Sequence, residues 1–175
     1  MRLFLLAILV SSLAACAANP PQTVQHVDLN RYAGTWYEIA TIPQSFQKGC
    51  TGVTATYTPR PDGTVEVVNR CRQGTLNGPE RSVKGAARVV DPNTNAKLKV
   101  SFFWPFEGDY WIFRLNDNYT TAAVGSPDYK TLWILHRQPQ MSDAEYTALL
   151  RSLQADGFAV EKLQRTTQFP APQNH

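Results

Sequence analysis

Between residues 34 and about 137, apolar and polar positions alternate in short runs, the spacing of strands that turn one face to a core. Eight such runs predict strands at approximately 34–41, 50–58, 64–72, 81–90, 96–104, 109–115, 118–126 and 131–137. The alternation is clearest in Lys97-Leu98-Lys99-Val100-Ser101-Phe102, where Leu98, Val100 and Phe102 share the core side, and in Val65 and Val67 flanking Glu66. Trp111, Phe113 and Leu115 share one face of their run, with Arg114 on the other. Turn chemistry separates the runs at Pro61-Asp62-Gly63, Asp91-Pro92-Asn93, Asn116-Asp117 and Ser126-Pro127-Asp128. The period then changes. Ser142-Asp143-Ala144-Glu145 is a capping box, Tyr146, Leu149, Leu150 and Leu153 recur at helical spacing, and Gly157 stops the helix. Phe158 to Leu163 predicts a last strand added at an edge, and the tail from Gln168 onward predicts disorder. Regular short strands with such turns predict an all-β sandwich or barrel, with one C-terminal α-helix packed outside it.

A chain of 175 residues fits one domain with a substantial core, and a net charge of +3 without a basic run argues against nucleic acid as a partner. The first fifteen residues differ in kind. Arg2 supplies a positive start, Leu3 to Val10 an apolar run, and Leu13-Ala14-Ala15 ends in small residues before Cys16, the pattern of a secretory signal. The apolar run falls short of the roughly 20 residues that a membrane span requires. The stretch resembles a bacterial lipoprotein signal, which implies cleavage before Cys16 and acylation of Cys16 by a palmitate-type chain. Ala17, rather than an aspartate, follows the cysteine, and in such lipoproteins this implies an outer-membrane anchor facing the periplasm. Residues 17–27, with Pro20, Pro21 and no periodicity, predict a flexible tether. The chain therefore divides into a signal (1–15), a lipidated tether (16–27), a barrel domain (28–166) and a tail (167–175).

The strands open on Gly34-Thr35-Trp36-Tyr37-Glu38-Ile39-Ala40. With eight strands and one C-terminal helix, this Gly-x-Trp opening resembles the lipocalin family, and Trp36 to Ala40 look most like its bacterial outer-membrane lipoprotein branch. The resemblance covers about residues 28 to 166 and implies an eight-stranded antiparallel up-and-down β-barrel. Asn118-Tyr119 falls where lipocalins carry an Asp-Tyr pair, with asparagine in place of the aspartate. Arg137 ends the eighth strand, where the family places an arginine packed on the motif tryptophan. Parity agrees: in an up-and-down barrel the start of strand one and the end of strand eight share an end, so Gly34, Trp36 and Arg137 form a floor. Loops 42–49, 73–80, 105–108 and 127–130 then surround the open end, with Phe46, Trp104, Phe106 and Tyr129.

An eight-stranded barrel has room for one small ligand. By alternation the expected ligand-facing residues are Leu98, Val100, Phe102, Trp104, Trp111, Phe113 and Trp133 with Leu135, and Phe46 stands at the mouth. Ala40, Ala55, Ala122 and Ala123 leave space that a filled core would not want. If Trp36 points inward, Glu38 and Ala40 follow it, and Glu38 is expected to pair with an arginine at the floor. His26, His136 and His175 are scattered, so neither a metal cluster nor a Ser-His-Asp order emerges, and no cofactor is expected. The resemblance implies a membrane-tethered protein, monomer or homodimer, that binds, stores or transports a fatty acid or lysophospholipid in the cell envelope. The alternatives are a lipocalin-fold enzyme acting through Glu38 or Tyr37, and an envelope protein with a solid core.

With Cys16 acylated, Cys50 and Cys71 remain, and an even number of thiols in an exported chain predicts a disulfide. A hairpin turning through Pro61-Asp62 places Cys50 opposite Cys71, but it also sets Val67 beside Thr54, whereas alternation prefers Ala55 and Tyr57 on the inner face. A one-residue bulge at the turn would reconcile the two.

Overall fold

In the computed structural model, which describes residues 21–170, eight strands close on themselves. They are β1 (Gly34–Thr41), β2 (Cys50–Pro59), β3 (Val65–Gln73), β4 (Glu80–Val89), β5 (Lys97–Phe103), β6 (Phe106–Leu115), β7 (Thr121–Gly125) and β8 (Leu132–His136). Each pairs antiparallel with its sequence neighbour, and β1 pairs with both β2 and β8, so the expected all-β up-and-down barrel is closed. A single turn of helix, α1 (Leu29–Tyr32), precedes β1, and α2 (Asp143–Ala155) lies outside the wall. The signal, Cys16 and residues 171–175 lie outside the described residues.

Two apolar clusters divide the molecule. One fills the lower barrel and includes Trp36, Tyr57, Val65, Val67, Leu98, Ile112 and Leu135. The other lies between the wall and α2 and joins Ile39, Phe113, Leu132, Ile134, Leu153 and Phe158. The helix forms as the capping box predicts: Ser142 Oγ accepts from the Glu145 N–H at 3.2 Å, and Gly157 adopts φ +92° just beyond the end. Arg114 ties the helix to β6 by donating to Ser152 Oγ at 2.8 Å and to the Asp156 carboxylate.

β-Bulges turn extra residues towards that helix. The β1–β8 register shifts between Glu38 and Ala40, and the β6–β7 register shifts between Ile112 and Arg114. Two consecutive residues thus face outward in each, Ile39 with Ala40 and Phe113 with Arg114. Ala40 and Ala123, expected inside, belong to the outer cluster; Ala55 and Ala122 sit with the inner one.

Cys50 and Cys71 are disulfide-bonded with Cα atoms 5.5 Å apart, although the hairpin register differs from the expected one. Val67 lies opposite Tyr57 rather than Thr54, and Cys50 opposite Gln73, so the bridge runs diagonally. The bulge that reconciles pairing with alternation falls between Thr51 and Thr54, not at the turn.

Three further expectations are corrected at the chain ends. Phe158 to Leu163 forms no strand, because Phe158 is buried under the helix with its ring 4.9 Å from that of Phe113; a turn at Val160–Lys162 follows, then a two-residue strand β9 (Gln164–Arg165) on β1. The segment from Gln168 is not free: Gln168 is buried, and its Nε2 donates to the carbonyls of Glu38 (2.9 Å) and Val53 (2.8 Å), bridging β1 and β2 just beyond Tyr37 and Thr54, where their pairing ends. The tether's last residues are also fixed, with the N–H of Val24 on the Ile112 carbonyl, that of Val27 on the Thr94 carbonyl, and the Val27 side chain fully buried.

Candidate functional site

The closed end is built on Gly34. Its φ of +94° is a conformation L side chains rarely adopt, and a Cβ there would meet Arg137 Nη1 at 3.3 Å, so glycine lets the arginine lie flat across the floor. The Arg137 guanidinium stacks 4.0 Å from the Trp36 ring centre and donates to five carbonyls, those of Arg31, Tyr32, Ala33, Thr35 and Tyr119. Three of these lie at the end of α1, where carbonyls have no helical partner. Trp36 is fully buried and its Nε1 donates to the Tyr32 carbonyl at 2.8 Å. Tyr119 accepts from the Asp28 N–H at 2.9 Å and carries Arg31 over its ring, so the Asn118-Tyr119 turn braces the same end.

Above this floor lies a cavity of about 980 Å³, near the top of the range for small-molecule sites. Leu98, Val100, Phe102, Trp133 and Leu135 border it, as alternation predicts, and Phe46 borders its mouth. Trp111, Phe113 and Trp104 do not. Trp111 and Phe113 face the α2 cluster, with Phe113 only 1% exposed, and the inward residues of β6 are Tyr110 and Ile112. Because α2 covers this wall, both faces of β6 are apolar and alternation alone cannot choose between them. Trp104 stands at the tip of the β5–β6 hairpin, 86% exposed and outside the cavity wall. Tyr129 packs on Phe158 rather than on the rim.

The interior also holds Tyr57, which alternation placed on the inner face, and three polar groups that sequence reasoning passed over, Tyr32, Tyr110 and Asn69. Tyr57 was accessible through its shared phase with Ala55; Tyr110 was lost with the choice of the Trp111 face. Asn69 Oδ1 is buried without a hydrogen-bond partner among the described residues.

Glu38 borders the cavity, but its partners are neutral and no arginine pairs with it. Its carboxylate accepts from Gln47 Nε2 at 2.7 Å and from Thr166 Oγ1 at 2.5 Å, while Gln47 Oε1 accepts from Trp133 Nε1 at 3.0 Å. One side chain thus joins the mouth loop, the C-terminal segment and the inner wall. Burial raises the Glu38 carboxyl above its ordinary value of 4.5, against the two hydrogen bonds that lower it. An acid with a raised folded-state value holds its proton more tightly when folded, so the stability it contributes is full below about pH 4.5 and is lost as pH rises through the folded value. Glu38→Gln cannot ionise and is expected to melt progressively later than the native chain as pH increases from 4.5 to 8. A difference in midpoint that stays constant with pH would exclude this.

Tyr37, the other titratable group considered for catalysis, does not border the cavity. No group of three His, Cys, Asp or Glu side chains able to hold a metal occurs among the described residues. The interior offers apolar surface and neutral hydrogen-bonding groups, the means to hold a guest.

A lipocalin-like domain model matches residues 27–168. The chain is 40% identical over 152 residues to the outer membrane lipoprotein Blc of Escherichia coli strain K12, covering 85% of each. It is 37% identical over 160 residues to temperature-induced lipocalin-1 of Arabidopsis thaliana, covering 86% of this chain and 84% of that one. Insecticyanin from the tobacco hornworm Manduca sexta shares the fold with a TM-score of 0.67 at 19% identity, over 86% of this chain and 85% of its own. The bacterial relatives' name supports a place in the cell envelope. The chain therefore belongs to the lipocalin family, on the branch of the bacterial outer-membrane lipoproteins, and is a binding protein for lipophilic molecules rather than an enzyme.

Proposed function

We propose that the mature chain, anchored in the outer membrane through acylated Cys16 and facing the periplasm, takes up one fatty acid or lysophospholipid tail-first and stores or transports it. The observation that carries this reading is a large apolar cavity open at the end where Phe46, Phe103 and Phe106 stand 65%, 73% and 78% exposed. Exposed aromatics at a mouth suit a guest that arrives from a lipid surface. Arg81 and Lys130 also border the cavity near that end and suit an anionic headgroup, while Glu107 is held by Arg88 through a double hydrogen bond. Burying about 12 methylenes gives on the order of 10 kcal/mol gross, from which roughly 4 or more is lost with the guest's freedom, so micromolar affinity or better is expected. A headgroup at the mouth leaves Trp104 free of the guest, and its replacement is expected to leave affinity in solution unchanged.

The test is native mass spectrometry of the mature protein after exposure to a bacterial lipid extract, with metabolic labelling by an alkynyl fatty acid in parallel. One single-chain lipid bound per barrel, unaltered, with label on the native chain and none on Cys16→Ser, is the expected result. A barrel that binds nothing would overturn the carrier reading, and equal labelling of both chains the anchor.

A further inference from the structure

At the inner end of the cavity three tyrosine hydroxyls stand in a row. Tyr32 Oη lies 2.8 Å from Tyr110 Oη, and Tyr110 Oη lies 2.8 Å from Tyr57 Oη. α1 brings Tyr32 in from below, and β2 and β6 bring the other two from facing walls; all three side chains border the cavity, with Tyr32 4% and Tyr57 7% exposed. Three hydroxyls carry three protons, and the two bonds between them use two, whichever way they run. One proton always remains. The three hydroxyls make no other side-chain hydrogen bond among the described residues, and a buried donor left unmatched costs on the order of 1 to 3 kcal/mol.

The row is uncharged. Burial raises all three phenols, Tyr57 to about 12, so at physiological pH each is a neutral donor and acceptor. The nearby cation does not reach the guest either, since the Arg137 donors are directed to the five carbonyls of the floor. Arg81, by contrast, borders the cavity opposite Cys71, and Lys130 sits in the β7–β8 loop. Charge is therefore available near the mouth, and a neutral O–H at the bottom.

We propose that the Tyr32–Tyr110–Tyr57 row is a recognition site for a neutral oxygen acceptor, a keto or hydroxyl group, carried at or near the buried end of a long apolar guest. This rests on the reading of a single chain inserted tail-first and narrows it. A plain methyl terminus leaves the spare proton unmatched, whereas an oxygenated terminus accepts it in a water-poor site where the bond discriminates strongly. A carboxylate suits the row less well, because the Arg137 charge that favours an anion there is outweighed by burial at Tyr32 and Tyr57, and the arginine's donors are held by the floor.

The experiment compares palmitic acid with 15-oxohexadecanoic acid, which share a carboxylate for the mouth and differ at the tail, by displacement of a fluorescent fatty acid from the mature protein. The oxo acid is expected to bind at least tenfold more tightly to the native chain. Loss of one hydroxyl still leaves at least one spare proton, so the variant that tests the row replaces all three: in Tyr32→Phe/Tyr57→Phe/Tyr110→Phe the preference for the oxo acid is expected to fall within twofold, while palmitic acid binds as well as before. On the native chain the oxo acid should also change the tyrosine ultraviolet absorbance where palmitic acid does not, a readout independent of the variants. Equal affinity of the two acids for the native chain overturns the proposal and leaves the carrier reading intact, the spare proton then being met by water. A preference that survives in the folded triple variant overturns it too. Displacement by neither acid overturns both the proposal and the carrier reading.

Discussion

Phe113→Ala is expected to lower the unfolding free energy by about 4 kcal/mol and to leave fatty-acid affinity within twofold, because the ring is core of the helix–barrel seam and not wall of the cavity. Phe113 is 1% exposed, with its ring centre 4.9 Å from that of Phe158, in the cluster that includes Leu153 of α2. Truncation removes a large apolar side chain and leaves a void that a β-strand and a capped helix cannot close together, so transfer and cavity costs add. At roughly 2 to 4 °C per kcal/mol for a chain of this size, the midpoint should fall by roughly 10 °C. Thermal unfolding followed by circular dichroism, with fatty-acid displacement measured well below the midpoint, separates the two effects. A variant of native stability that has lost its ligand would show that Phe113 faces the guest after all.

The inward face of β6 also marks the limit of what the sequence disclosed. The strands, their turns and the helix were legible because each rests on a local rule: alternation, proline and glycine at turns, and a capping box whose Ser142 does cap the helix. The floor was legible because parity needs only strand count and order. Absolute face is another matter. Leu98, Val100 and Phe102 alternate with lysines and a serine and could be assigned, whereas Trp111 and Phe113 alternate with Tyr110 and Ile112, apolar on both sides because α2 covers one of them. Bulges at Ile39 and Phe113 then shift phase within a strand, and no turn residue announces them. The C-terminal segment was obscured for a related reason. Gln168 is polar and lies in a stretch without periodicity, yet its amide is buried because it satisfies two carbonyls exposed where β2 leaves β1. Polar residues used as backbone partners carry no hydrophobic signature.

Glu38 shows the same effect at the site itself. Alternation placed it inside, and a buried carboxylate in an apolar barrel called for a cation. The mouth loop and the C-terminal segment instead supply Gln47 and Thr166, two neutral donors distant in sequence. A carboxylate so held keeps a raised protonation range, whereas an ion pair with arginine would have lowered it. The arginine of the floor stacks on Trp36 instead.

There, Arg137→Ala is expected to lower stability by about 3 kcal/mol, a drop of roughly 8 °C in midpoint. The stack on Trp36 at 4.0 Å contributes about 1 kcal/mol of this. The rest comes from five carbonyls, two of them 2.9 Å from Nη2 at the end of α1, that lose a charged donor where water reaches only some of them. The site is half-exposed, which keeps the figure below that of a fully buried charge. Arg137→Lys should recover less than half of the loss, since an ammonium cannot present a planar fork to Thr35, Tyr119 and the helix end at once. Tyr32 is one of the residues whose carbonyl is released, and its side chain begins the hydroxyl row, so Arg137→Ala should also weaken any preference for an oxygenated tail while sparing palmitic acid. Chemical unfolding of the two variants beside the native chain gives the energies. A midpoint for Arg137→Ala within a degree of native would mean that the bond from Trp36 Nε1 to the Tyr32 carbonyl closes the floor by itself.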